Sequence, residues 1–366
     1  MKMKKKAVSL LLCVTMAITI LAGCGNSNET SGTTVDETQA KTEAAREEET
    51  ETEETKEDGA TDMASNSGDA IVVGFSQVGA ESDWRTANTQ SMQNTFTEEN
   101  GYELILDDAQ QKQENQIKAI RNFIQQEVDY IVLAPVTETG WDTVLTEAKD
   151  AGIPVIIVDR MIDVSDDSLF ECWVGSDFLN EGYDCVEWLA NYLDEKGRAD
   201  EDINIVTLQG TIGSSAQIGR TDGVEEKMKD YSNWTMLDKQ TGEFTQSKGQ
   251  EIMESFLKSY DNIDVVIAEN DNMAFGAIDA IKAAGLTCGP DGDIIIISFD
   301  AVKAAFDSMI AGDMNVSIEC NPLHGPRVAE LITKLEAGDT VDKLNYVDEG
   351  VYSAEDATDL IDSRQY

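Results

Sequence analysis

From residue 71 onward the chain is punctuated by short runs of continuous apolar residues: 71–75, 130–133, 155–158, 203–208, 264–268 and 294–298. Such runs do not alternate with polar positions, so they fit parallel strands covered on both faces. Between them the apolar positions fall at helical spacing. Ile117, Ile120, Phe123 and Ile124 form one stripe, Ile252, Met253, Phe256 and Leu257 a second, and Ala274, Ile278 and Ile281 a third. Each stripe predicts a helix with its apolar face in the core. Residues 130–158 hold one complete unit. A strand ends at Pro135, a helix starts near Gly140, Gly152 supplies a left-handed cap, and Pro154 blocks continuation before the next strand. That unit is a right-handed βαβ crossover. Its repetition predicts an α/β fold of doubly wound parallel sheets, with more strands than one sheet holds comfortably and hence two lobes.

The first 69 residues follow a different pattern. Lys2, Lys4, Lys5 and Lys6 precede an apolar run, 7–21. At about 1.5 Å per residue that run reaches about 22 Å, short of a hydrocarbon core of about 30 Å. It predicts a secretion signal over 1–23 rather than a span. Leu21-Ala22-Gly23-Cys24 resembles the bacterial lipobox. The resemblance implies lipid on Cys24 and attachment to the outer face of the plasma membrane. Residues 24–69 then carry almost no large apolar side chain and include Glu47-Glu48-Glu49-Thr50-Glu51-Thr52-Glu53-Glu54. Such a segment buries nothing and repels itself, which predicts an unfolded acidic tether.

Charge narrows the function classes. Against 71 acidic residues stand 27 basic ones, a net charge of −44 over 366 residues. Binding nucleic acid needs a basic face, so no nucleic-acid partner is expected. His324 is the single histidine, which excludes histidine-rich zinc sites and leaves only one imidazole for general-base chemistry. It sits in Asn321-Pro322-Leu323-His324-Gly325-Pro326, which reads as a turn with a surface or helix-start histidine. Cys172, Cys185, Cys288 and Cys320 form no C-x-x-C pair, so no metal site is expected, although an exported protein leaves room for a disulfide. Asp291-Gly292-Asp293 lacks the rest of a calcium loop and reads as a turn. No cofactor is expected.

Open α/β sheets bind ligands at the carboxyl ends of their strands. Those ends carry Glu81, Ser82, Asp83, Trp84 and Arg85 after the first run, then Asp159 and Arg160. Further on come Arg220, Asn270 and Asp300, with Phe244 in Gly242-Glu243-Phe244-Thr245. The set is poor in general bases and rich in planar hydrogen-bonding groups, with two aromatic rings to cover C–H faces. Charged forks beside aromatic plates suit a polyhydroxylated ligand, most simply a monosaccharide. Ordinary alternatives exist for each residue. Asp83 or Asn270 as helix caps, Arg85 in solvent, Asp159–Arg160 as a structural ion pair, Trp84 in the core and Arg220 paired with a surface acid are all compatible with the sequence. Their convergence at strand ends favours a site.

Several segments resemble sugar-binding proteins of the ribose-binding type, the type I periplasmic binding proteins, and most nearly their galactofuranose-binding branch. These are Gly74-Phe75-Ser76-Gln77-Val78-Gly79 through Trp84-Arg85, Gln110-Gln111-Lys112-Gln113-Glu114-Asn115-Gln116, Ala134-Pro135-Val136 through Gly140-Trp141, and Ile153-Pro154 through Asp159-Arg160. Leu208-Gln209-Gly210-Thr211, Phe244-Thr245-Gln246-Ser247-Lys248-Gly249 and Asn270-Asp271-Asn272-Met273 continue it.

The resemblance implies two lobes joined by a three-segment hinge. The first would comprise 70–175 with 321–350, the second 176–320 with 351–366, with hinges near 175–176, 319–321 and 350–351. It implies sugar contacts from Glu81, Ser82, Trp84, Arg85, Asp159, Arg160, Arg220, Phe244, Asn270, Asp300 and Glu319. It also implies a monomer that closes on its sugar, performs no chemistry, and presents the closed form to the permease subunits of an ABC transporter. A receptor presenting sugar to a sensor kinase or chemoreceptor is the alternative partner arrangement. A polysaccharide hydrolase is disfavoured because no nucleophile–base pair is visible. A repressor is disfavoured because a leader stands where a DNA-binding headpiece would. Asp83 stands where these proteins usually have glycine, and the segment before Gly325-Pro326 is one residue shorter.

Overall fold

The computed structural model describes residues 70–366; the leader, Cys24 and the acidic tether lie outside the described residues. In chain order the strands are β1 (Ile71–Gln77), β2 (Tyr102–Asp108), β3 (Tyr130–Leu133), β4 (Val155–Val158), β5 (Cys172–Gly175) and β6 (Ile203–Gln209). They continue with β7 (Trp234–Thr241), β8 (Val265–Ala268), β9 (Ile295–Asp300), β10 (Val316–Glu319), β11 (Leu344–Tyr346) and β12 (Val351–Ser353). Two six-stranded sheets result, in the orders β2-β1-β3-β4-β5-β11 and β7-β6-β8-β9-β10-β12. Pairing is parallel throughout, except that β12 runs antiparallel to β10 at one edge.

The continuous apolar runs are explained by burial on both faces. In β3, Tyr130 and Val132 join the core on one side of the sheet, while Ile131 and Leu133 join the core on the other. In β9, Ile296 faces one core and Ile295, Ile297 and Phe299 face the opposite one. Removing such a side chain from water contributes roughly 1.5–3 kcal/mol. The stripes behave as expected. Gln113–Gln125 is a helix burying Ala119, Ile120 and Phe123, and Gln246–Ser259 and Asp271–Ala283 are helices over the second sheet. The unit at 130–158 is a helix, Asp142–Asp150, closed by Gly152 at φ +77° before β4 pairs with β3 in parallel.

The chain passes between the sheets three times. The first passage lies between β5 and the helix Phe178–Glu195, which packs on the helix Ser215–Met228. The second lies between β10 and the helix Gly325–Glu336, which packs on Asp83–Thr95. The third joins β11 to β12. All four described cysteines are buried and free, so the disulfide left open by the sequence does not form. No helix among the described residues is long and apolar enough to cross a membrane.

Candidate functional site

The carboxyl ends of the two parallel sheets meet around one cavity lined by Glu81, Ser82, Trp84, Arg85, Asp159 and Arg160 from the first lobe. From the second lobe come Ala216, Arg220, Phe244, Asn270 and Asp300, with Cys320 at a crossover. Ten of the eleven residues named from the sequence are therefore gathered in one place. The exception is Glu319. Its carboxylate pairs with Arg364 at 2.7 Å and accepts from Gly350 N, Tyr352 Oη and Tyr366 Oη. It ties the C-terminal tail to the hinge instead of facing the cavity, a correction to the resemblance-based set.

Local structure positions each group. Ser82 caps the helix Asp83–Thr95 by accepting from Arg85 N at 3.1 Å, which leaves Asp83 as first helical residue rather than cap. Trp84, 3% exposed, donates through Nε1 to Cys320 O at 2.6 Å. Asn270 does cap Asp271–Ala283, accepting from Met273 N at 2.9 Å, and its Nδ2 donates to Phe244 O. Asp159, Phe244 and Asp300 adopt positive φ of 63°, 61° and 111°. Non-glycine residues rarely sit there, and such strain collects at functional sites. Gly210 has a specific reason to be glycine, because a Cβ there would overlap the Phe244 ring.

Electrostatics organise the cavity into two networks. In the first lobe Arg85 contacts Asp159 at 2.7 Å and Glu81 at 3.0 Å, while Arg160 lies 3.7 Å from Glu81 and 3.8 Å from Asp159. Burial pushes the Asp159 carboxyl up, but Arg85 and then Arg160 hold it below the ordinary range. Burial and the neighbouring Arg85 lower Arg160 to about 10. In the second lobe Arg220 pairs with Glu181 at 2.6 Å and approaches Asp300 at 3.7 Å. Burial pushes Asp300 well up, partly offset by Arg220 and reinforced by Asp271 and Glu181. Cationic faces lie over both aromatic plates, Arg85 over Trp84 at 4.6 Å and Arg160 over Phe244 at 5.1 Å. Glu81 Oε2, Arg160 Nε and Asp300 Oδ2 are buried without a hydrogen-bond partner. Buried polar groups are normally satisfied, so orphans of both senses around one cavity point to a ligand offering donors and acceptors.

The lobes also touch directly. Asp83 N donates to Asn272 Oδ1 at 3.0 Å, and Asn272 Nδ2 donates back to Asp83 Oδ2 at 3.2 Å. On the other flank, Glu138 N donates to Gly213 O at 3.0 Å and Met161 N to Ser215 Oγ at 2.8 Å. The cavity between them has about 20 Å³ of free volume. That holds one or two waters, so a ring enters only if the lobes part.

Sequence reasoning missed several buried groups. Glu181 is the ionic partner of Arg220, a buried carboxylate rather than the surface acid considered as the alternative. Glu269 accepts from Gly210 N at 2.7 Å and from Thr221, and burial raises it to about 7. Asp271 accepts from Ser317 Oγ at 2.8 Å and Val302 N at 2.9 Å beneath the second-lobe sheet ends. His324 does stand at a helix start but is fully buried, correcting the surface alternative; Asn88 Nδ2 lies 3.2 Å from its Nδ1.

Comparison with known proteins adds to this geometry. Residues 73–324 match the model of the periplasmic binding protein domain. The chain is 42% identical over 299 residues to the galactofuranose-binding protein YtfQ of Escherichia coli K12, covering 81% of this chain and 92% of that protein. A Mycobacterium smegmatis crystal structure in complex with β-D-fucofuranose superposes with TM-score 0.77 at 43% identity, covering 81% and 96% of the two chains. The periplasmic binding component of the arabinose ABC transporter of Shewanella sp. ANA-3, bound to α- and β-L-arabinofuranose, superposes with TM-score 0.75 at 44% identity, covering 80% and 95%.

Proposed function

The chain belongs to the periplasmic binding protein family, and from that membership we propose that it captures a neutral monosaccharide in furanose form, galactofuranose or a close relative, and delivers it to an ABC transporter permease. The observation that carries the reading is the set of orphaned buried atoms on Glu81, Arg160 and Asp300 around a cavity flanked by Trp84 and Phe244. The three guanidiniums (Arg85, Arg160, Arg220) already have the carboxyl groups of Glu81, Asp159 and Glu181 beside them, so a neutral polyol disturbs the balance least. Furanose specificity is supported by the sugars named for the similar proteins.

Arg85, Asp159 and Arg160 contact the sugar from one lobe and Arg220, Asn270 and Asp300 from the other. Both sets are engaged only when the lobes are closed, so binding favours closure through differential contacts. The permease distinguishes closed from open. No bond in the sugar changes. Lipid on Cys24 holds the protein at the outer membrane face, with 24–69 as spacer.

A thermal-shift panel of galactofuranose-containing mixtures, galactose, ribose, arabinose and inositol tests this. Hydrogen bonds to charged groups contribute roughly 1.5–3 kcal/mol each, so Arg160→Ala costs on the order of 100-fold in affinity. The ligand-induced shift should vanish while the ligand-free melting point stays nearly constant. A variant that keeps the shift, or that unfolds, makes Arg160 a structural ion-pair partner and contradicts its role.

A further inference from the structure

On the side of the hinge lined by Asp177 and Glu349 lies a second chemical cluster, which meets the sugar cavity at Cys320 and, through Arg220, at Glu181. Glu181 follows the first crossover, Cys320 sits on the second and Glu349 on the third. One ligand atom from each lies within 4.8 Å of the other two. Glu181 is 3% exposed; its Oε2 is taken by Arg220, but Oε1 is buried with no hydrogen-bond partner. Glu349 is fixed through one oxygen only, Oε1 accepting from Ser176 Oγ at 2.6 Å and Asn321 N at 2.7 Å. Ser176 Oγ also lies 3.3 Å from Cys320 Sγ. A cavity of about 460 Å³ opens beside Glu181 and Glu349, lined further by Asp177, Asp184 and Asp348 and by no lysine or arginine. It offers a hydrated, anionic approach.

We propose that Glu181, Cys320 and Glu349 form a divalent-cation site, suited to Zn²⁺, that ties the three crossovers of the hinge together. Two carboxylate oxygens and a thiolate match the borderline-soft donor set of zinc, and three protein ligands leave a fourth position for water from the acidic cavity. Ser176 orients Glu349 as an outer-shell partner does. No spacing motif marks these residues, because each belongs to a different crossover and only the fold brings them together. Since Arg220 bridges Glu181 and Asp300, occupancy at the hinge is felt at the sugar cavity, and the coupling is reciprocal.

The test uses the full chain, stripped with chelator and free of sugar, so its failure leaves the sugar reading intact. Equilibrium dialysis against Zn²⁺ should give saturable binding of an ion that Glu349→Gln weakens by about tenfold or more. Replacement by Co²⁺ should give a near-ultraviolet thiolate-to-metal absorption that disappears in Cys320→Ser and persists in Cys288→Ser. Circular dichroism establishes that each variant is folded. Absence of the absorption in the parent chain, or its persistence in Cys320→Ser, overturns the proposal, as does zinc binding unchanged in Glu349→Gln.

Discussion

Arg85 and Arg160 look alike in the sequence, both basic and both just past a strand, yet their surroundings differ. Arg85 is saturated by Asp159 and Glu81, whereas Arg160 keeps a buried Nε without partner. That difference makes Arg160 the more informative substitution. His324 offers a second residue-level test. Burial lowers it from 6.5 to about 4, so between those values the unfolded chain takes a proton that the folded chain refuses. Its contribution is complete above pH 6.5 and is lost as pH falls toward 4, by up to about 3 kcal/mol. Glu269 and Glu349, raised by burial to about 7 and about 8, act oppositely, because the folded chain holds their protons longer. Comparison with His324→Gln subtracts those carboxyls. Denaturant melts should show the parent losing stability relative to the variant between pH 6.5 and 4; parallel pH profiles would contradict a buried neutral imidazole. The buried charges were partly legible. Asp159, Arg160, Asn270 and Asp300 end strands, and that rule locates them. Glu181 and Glu269 escaped notice because only the fold brings them to Arg220.

At the scale of elements, strands buried on both faces were readable and edges were not. β1, β3, β4, β6, β8 and β9 are continuous apolar runs. β2 and β7, at the sheet edges, mix Glu103, Asp107, Asp238 and Lys239 into their pattern because half their surface is wet. β5 and β10 are as fully buried but hold Gly175, and Ser317 with Glu319, which break the apolar run, while β11 and β12, three residues each, are too short to carry a period. The helix starts at Asp83 and Asn272 meet across the cleft through a reciprocal pair of hydrogen bonds. These exist only when the lobes are together, so they stabilise closure without touching ligand. Asn272→Ala should cost about 1 kcal/mol of closed-state free energy, roughly fivefold in sugar affinity, with the ligand-free melting point little changed. Calorimetry returning the parental Kd would show that the pair does not favour closure. Asp83 therefore has a role at the lobe edge, where the family resemblance led one to expect glycine.

For the whole molecule, three passages between two sheets create a hinge with the cavity at the facing strand ends. The proposed lipid anchor on Cys24 is tested by Cys24→Ala, which should release the protein from washed membranes into the medium. Retention of the variant would show that another feature anchors it. The central claim is that the cleft holds a small neutral sugar and returns it unaltered. Its most direct measurement loads the purified chain with a labelled furanose sugar, removes excess by gel filtration, releases the ligand by denaturation and identifies it by mass and NMR. One sugar per chain, recovered unchanged, is the predicted result; an empty chain after the full sugar panel, or a chemically altered product, would contradict it.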